Sequence, residues 1–209
     1  GDTNTSLTAI CAKRKKIPIF HIEAGNRCFD QRVPEEINRK IVDHIADINL
    51  TYSTYAENNL LREGLPRDLI IKVGSPLKEV YEYYDKKINK SKIINKLKLK
   101  NKKYIVASIH REENLISKKI LDNILKSINI FSKKNKLRVI FSTHPRTLEK
   151  LKKEKNKYKN IEFYNSFGFL DYVRLLKSSD LVISDSGSIT EETSILQLRS
   201  INLRTTHER

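Results

Sequence analysis

Residues 180–192 read Asp-Leu-Val-Ile-Ser-Asp-Ser-Gly-Ser-Ile-Thr-Glu-Glu. The run Asp180–Ser184 is short and apolar at its centre, as expected of a strand buried on both faces. Small residues from Asp185 to Ser188 then suit a tight turn, and a helical pattern starts at Ile189. Strand, turn and helix in that order are half of a βαβ unit.

The same alternation continues outward in both directions. Further strands are predicted at Ile17–Ile22, Asp47–Tyr52, Leu69–Val73, Tyr104–Ile109, Leu137–Ser142, Ile161–Tyr164 and Ser200–Leu203. Helices are predicted at Ser6–Arg14, Pro34–Ala46, Thr54–Arg62, Ile116–Lys134, Pro145–Lys153, Leu170–Lys177 and Ile189–Leu196. Strands alternating with helices imply parallel sheets with helices on both faces. The fold class is therefore α/β, with doubly wound, Rossmann-like domains. The lysine-rich stretch between Pro76 and Lys103 separates two such series. We expect residues 1–80 to be the later part of a first Rossmann-like domain, 81–103 a linker, and 104–209 a second domain.

Composition narrows the function. The 209 residues are 38% hydrophobic, which suits a packed core rather than a disordered chain. The formal net charge is +16, which raises the possibility of a nucleic-acid partner. Lysine dominates that excess, and Lys86 to Lys103 contains no aromatic residue to stack on a base. We therefore expect a solvated basic surface and no nucleic acid. Such a field also steers anionic small molecules. Two cysteines, Cys11 and Cys28, make no disulfide framework, and a reducing cytoplasm is the simpler expectation. No apolar run reaches membrane-spanning length. The chain has no methionine and opens on Gly1-Asp2-Thr3, which reads as a piece of something longer.

In doubly wound domains, ligands bind beyond the carboxyl ends of the strands. Glu23, His110, His144 and the run Asp185–Ser188 all follow predicted strands. Glu23 belongs to His21-Ile22-Glu23-Ala24-Gly25-Asn26-Arg27, with Pro34-Glu35-Glu36 a short way on. Pro34 suits the first position of a helix, and Glu35 and Glu36 favour its dipole. A purely structural account is available for this pair, because Glu35 with Arg39 and Glu36 with Lys40 are i,i+4 partners. Ile37, Ile41 and Ile45 are expected as the buried stripe of that helix. Glu23 is harder to explain structurally, since a strand-end carboxylate needs a task or a partner. His110, in Ser108-Ile109-His110-Arg111-Glu112-Glu113, titrates near neutrality and suits either a phosphate or a neighbouring carboxylate. Around Ser186-Gly187-Ser188, backbone N–H groups at a helix start suit an anion. The Gly-Lys-Ser/Thr ending of a Walker loop is absent. Ser188 and Glu191 also fit a capping box, which leaves Glu192 for bonding hydroxyls.

Taken in order, these segments resemble the non-hydrolysing UDP-N-acetylglucosamine 2-epimerase family. The matching pieces are Gly1-Asp2-Thr3, His21 to Gly25, Pro34 to Arg39, His110 to Glu113, Asp185-Ser186-Gly187 with Glu191-Glu192, and Glu208-Arg209. Gly25 to Asp30 and Arg204 to Arg209 are most similar to the branch that makes UDP-N-acetyl-L-fucosamine.

The resemblance implies two glycosyltransferase-B-like domains, the first incomplete, with UDP in the cleft between them. It implies inversion at C2 of a UDP-2-acetamido sugar by UDP elimination and re-addition, with no metal and no cofactor, in a protein that is a homodimer when full length. Asp2, Glu23, Glu35 and His110 match the family's acid/base residues. His110, Ser186, Gly187, Ser188 and Arg209 match its UDP contacts, and Glu192 the residue that bonds the ribose. Three departures stand out. Ser188 replaces a second glycine, Phe167 and Tyr172 stand where the better-known branch places other residues near uracil, and the family's N-terminal phosphate loop is absent. These 209 residues alone are therefore expected to be inactive. A glycosyltransferase of the same architecture would use the later nucleotide site without needing Glu23 and Glu35 together. A non-catalytic binding protein would be indifferent to Glu23→Gln.

Overall fold

The structure is a computed structural model that describes residues 1–115, 117–143, 147, 151 and 157–204. The described chain divides into two units, 1–76 and 77–204.

The first unit runs α1 (Thr3–Arg14), β1 (Phe20–Ile22), α2 (Pro34–Ile45), β2 (Ile48–Thr51), α3 (Thr54–Arg62), a 3₁₀ turn (Arg67–Leu69) and β3 (Ile70–Lys72). Asp2 caps α1 by accepting the Thr5 N–H at 2.8 Å, and Ser53 caps α3 by accepting the Ala56 N–H at 3.1 Å. Pro34 opens α2, where its missing N–H costs nothing. The strands form a parallel sheet in the order β1-β2-β3, with Phe20 opposite Ile48 and Leu50 opposite Ile71.

Helix α2 reverses an expectation. Its buried residues are Glu36, Asn38, Arg39, Val42 and Asp43. Ile37 and Ile41, expected in the core, are 48% and 39% exposed. The buried side of α2 instead carries polar groups that bond to the loops after β1 and before α1.

The second unit runs α4 (Leu77–Lys90), α5 (Ile93–Lys96), β4 (Tyr104–Ser108), α6 (Glu112–Leu115), α7 (Lys118–Asn135), β5 (Arg138–Thr143), β6 (Ile161–Asn165), α8 (Phe169–Ser178), β7 (Leu181–Ser184), α9 (Ile189–Ile195) and β8 (Ser200–Asn202). All five strands are parallel, in the order β6-β5-β4-β7-β8. Numbered within the unit, that order is 3-2-1-4-5. The chain winds one way from β4 and then the other, and the switch falls between β4 and β7. Alternate strand residues feed two separate cores. Ile105, Ala107, Val139, Phe141 and Ile183 pack with Leu121 and Leu125 of α7. Tyr104, Val106, Ile140 and Val182 pack with Leu175 and Leu176 of α8 and Ile189 of α9. Both faces of the sheet are thus covered, as in a doubly wound domain.

All eight predicted strands are present within a few residues of their expected limits. The segment 81–103, expected as a linker, differs. Helix α4 buries Tyr81 and Ile88 against Val173, and α5 buries Ile93. Tyr81 and Tyr84 also meet the Phe169 ring, at centroid distances of 6.1 and 5.7 Å. Its lysines face water while an apolar stripe docks on α8, so the segment belongs to the second unit. Most of the helix predicted at Pro145–Lys153 lies outside the described residues. Among the described residues no helix is long and apolar enough to cross a membrane.

Candidate active site

In the first unit two predicted acids, Glu23 and Glu35, lie near Arg39 and Gly1 respectively, and a third, Asp2, caps α1. Glu23 follows β1 in a left-handed turn with φ +70°. Arg39 donates to the Glu23 carbonyl at 3.2 Å and lies 3.4 Å from its carboxylate. Glu35 is half-buried in the first turn of α2, and a side chain placed on Gly1 would touch both Glu35 and Arg39. Asn38 ties the chain start to α2 by donating to the Gly1 carbonyl and to Thr3 Oγ1, each at 2.9 Å. Asp2, exposed, is the cap of α1, and the Thr5 N–H and hydroxyl hold its carboxyl below the usual range. Glu36 serves the loop. It accepts the Cys28 N–H at 2.8 Å and lies 3.2 Å from Lys40. Burial alone would raise its carboxyl, but the Cys28 and Lys40 contacts outweigh that and leave it lowered.

In the second unit the predicted residues meet at the switch point. Asp185, fully buried after β7, accepts the N–H groups of His110 at 3.1 Å and Arg111 at 2.9 Å, and the Asn114 amide at 3.1 Å. His110 Nδ1 lies 3.3 Å from the same carboxylate. Asp185 thereby fastens the loop after β4 to the turn after β7. Within that turn, Ser184 Oγ accepts the Ser186 N–H and Ser186 Oγ accepts the Ser188 N–H, at 3.1 and 3.4 Å. The expected capping box is not formed, because the Ser188 side chain makes no cap bond and donates to the Glu192 carboxylate instead. Burial raises the Glu192 carboxyl, partly offset by that hydroxyl. The same burial raises the Tyr172 hydroxyl nearby.

Two cations at this turn were not picked out from the sequence. A Cβ built on Gly187 would lie 3.2 Å from Arg204 Nη1 and 3.4 Å from Arg111 Nη2. Two guanidinium groups therefore converge on the glycine, and any larger residue there would crowd them. Arg111 adjoins His110 and was legible as a neighbour, whereas Arg204 arrives from beyond β8. His144 and Arg209 lie outside the described residues. No group of acids, histidines and cysteines suited to a metal occurs among the described residues.

Both sets of groups stand beyond the carboxyl ends of parallel strands, which places the chain among Rossmann-like α/β proteins with sites at strand ends. A family model described as UDP-N-acetylglucosamine 2-epimerase matches residues 1–209, and the chain belongs to that family. It is 38% identical to a UDP-N-acetylglucosamine 2-epimerase of Methanococcus maripaludis, an alignment covering 100% of this chain and 60% of that protein. Among solved structures it is similar to UDP-N-acetylglucosamine 2-epimerase from Rickettsia bellii, with 48% identity and a TM-score of 0.88 over 100% of this chain and 56% of that one. The Methanocaldococcus jannaschii enzyme, solved in complex with UDP-GlcNAc and UDP, is 36% identical with a TM-score of 0.89, over 100% of this chain and 60% of that one. The chain thus spans about 60% of the length of the first curated relatives it matches.

Proposed function

We propose that the whole protein epimerises C2 of a UDP-2-acetamido sugar, either UDP-N-acetylglucosamine or the precursor of UDP-N-acetyl-L-fucosamine. The observation that carries this reading is the placing of Glu23 against Arg39 at the end of β1, with Glu35 and Arg39 both against Gly1, next to Asp2 in the chain. A binding site for a doubly charged diphosphate has no use for carboxylates such as Glu23 and Glu35, whereas removing and returning a proton on opposite faces of a sugar needs at least two acid/base groups.

The steps balance with protons alone. A carboxylate takes the C2 proton, the C–H electron pair becomes the C1=C2 double bond, and the C1–O bond breaks as UDP leaves. UDP then adds back to C1 while C2 is protonated from the other face. UDP leaves readily only where its charge is held. Arg111, Arg204, the Ser186–Ser188 turn and His110 supply that hold in the second unit, with Arg209 as a further phosphate contact. Glu192 bonds the ribose hydroxyls, and Ser188 presets its carboxylate. The product serves surface-polysaccharide synthesis in the cytoplasm, the active form is a homodimer, and these 209 residues alone do not turn over.

The test is incubation of the whole protein in D₂O with UDP-N-acetylglucosamine and, separately, the UDP-2-acetamido-6-deoxy-L-talose substrate, following C2 by NMR. Deuterium at C2 without free sugar is the expected result. Absence of exchange on every UDP-2-acetamido sugar overturns the reading, and release of free sugar points to a hydrolysing relative.

A further inference from the structure

Glu23 occupies a left-handed turn that residues with a Cβ seldom adopt. Something must hold it there, and the surrounding bonds lead to one buried group. Asp43 on α2 is fully buried. Its carboxylate lies 2.6 Å from His21 Nδ1, two residues before Glu23. It also accepts the N–H of Gly25, two residues after Glu23, at 3.2 Å. Arg27, next but one again, reaches it at 2.7 Å. A single carboxylate therefore grips the chain on both sides of Glu23.

The grip is itself braced. Glu63 holds Arg27 through two bonds of 2.7 Å each, to Nε and Nη2. Asn59 donates to the Gly25 carbonyl at 3.0 Å, and Asn49 donates to the Asp43 carbonyl at 2.9 Å. At Gly25, φ is +77° and a Cβ would run into the Ala56 carbonyl, so the backbone approaches α3 too closely for any side chain.

This arrangement is a poor way to stabilise a fold. Asp43 places a buried negative charge near the carboxyl end of α2, where the helix dipole opposes it. Buried ion pairs are often no better for stability than apolar residues of the same volume. What the arrangement does secure is direction, because the Glu23 backbone is fixed between two anchored neighbours. We infer that Asp43 is a positioning residue that clamps the turn at Glu23 and sets the aim of its carboxylate. The inference rests on the epimerase reading for what Glu23 does, but not for the clamp itself.

The test uses the whole protein with Asp43→Asn, Glu23→Gln and the double variant. Three quantities are read: UDP affinity by calorimetry, deuterium entry at C2, and hydrogen exchange of the peptide spanning residues 21–27. Asp43→Asn keeps the size and loses the charge. It is expected to slow C2 deuteration by about 10²-fold, the scale of a misplaced catalytic group, with UDP affinity within about two-fold, since a positioning defect spares uniform binding. Exchange across residues 21–27 should quicken by roughly ten-fold or more as the local opening free energy falls.

In the Glu23→Gln background Asp43→Asn should cost nothing further, because residues acting through one another are not additive. Full additivity, or a fall in melting temperature with no change in the C2 rate, overturns the positioning role. Unchanged exchange across 21–27 overturns the clamp whether or not the protein is an epimerase. An unmodified protein that clamps the turn but exchanges no C2 proton would refute the function alone.

Discussion

The two units solve the same problem, a strand-end site on a parallel sheet, with opposite materials. The second unit buries apolar residues on both faces of a 3-2-1-4-5 sheet and keeps its charges at the switch point between β4 and β7. The first unit winds in one direction through β1-β2-β3 and buries Asp43, Arg27, Glu36, Arg39, Asn49 and Thr51. Apolar faces lie beneath the second site, whereas around Glu23 a polar network stands beside the small core of Ala24, Leu60 and Ile70. The chemistry proposed for each unit differs in the same way, with carboxylates for proton transfer in the first and anion binding in the second, where His110 is matched to both.

The sharpest test of that division is Glu23→Gln in the whole protein. C2 deuteration should fall by about 10²–10⁴-fold, the usual contribution of a general acid or base, with UDP affinity unchanged by calorimetry. Equal loss of both would erase the distinction between the units. The glycines come next. Gly25→Ala forces a Cβ into the Ala56 carbonyl at positive φ and should destabilise by about 2–3 kcal/mol. Gly187→Ala meets only the ends of two arginines and should change stability by less than about 0.5 kcal/mol. Thermal unfolding of the two variants, side by side, decides whether the close backbone approach at Gly25 is the less forgiving of the two turns. Smaller than the Gly25 effect is that of Arg204→Ala, expected to weaken UDP about tenfold through loss of a charge-assisted contact, with kcat little altered. A lowered kcat at unchanged affinity would move Arg204 to the chemistry.

These contrasts were unevenly legible in the sequence. Strands such as Leu181–Ser184 announce themselves because a parallel strand covered on both faces is apolar throughout. Helix α4 was missed because lysine dominates its composition, although Tyr81 and Ile88 lie seven apart on one side of the helix and are its buried residues. Helix α2 misled in the other direction. Its isoleucines have helical spacing, and periodicity identifies a face without saying which face is inside. Glu23 and His110 stood out as polar residues after strands, a local signal. Asp43 and Arg204 did not, since the groups they serve lie about 20 residues away in the chain. Ser188 shows the limit of motif reading, because its hydroxyl could accept the Glu191 N–H as a cap or donate to the Glu192 carboxylate, and the structure gives it Glu192 rather than the cap.

The smallest expected effect is a difference of sign between two glutamates. Glu36 in the first unit sits below its ordinary value because the Cys28 and Lys40 contacts overcome burial. In the window beneath the ordinary glutamate value the unfolded chain takes up a proton that the folded chain refuses. Glu36 thus contributes stability that is present above that value and lost as pH falls through the lowered one. Glu192 in the second unit is raised, chiefly by burial, so the folded chain keeps its proton where the unfolded chain has released it. Its contribution is present below the ordinary value and lost as pH rises through the raised one. Melting temperatures measured from about pH 2.5 to 7, spanning both sides of the ordinary glutamate value, should show this in two variants. Glu36→Gln should remove part of the acid-side loss, and Glu192→Gln should remove part of the decline on the other side. Each substitution keeps the volume and an acceptor oxygen, so a displacement equal at every pH would mean that packing, not protonation, is what the variant disturbed.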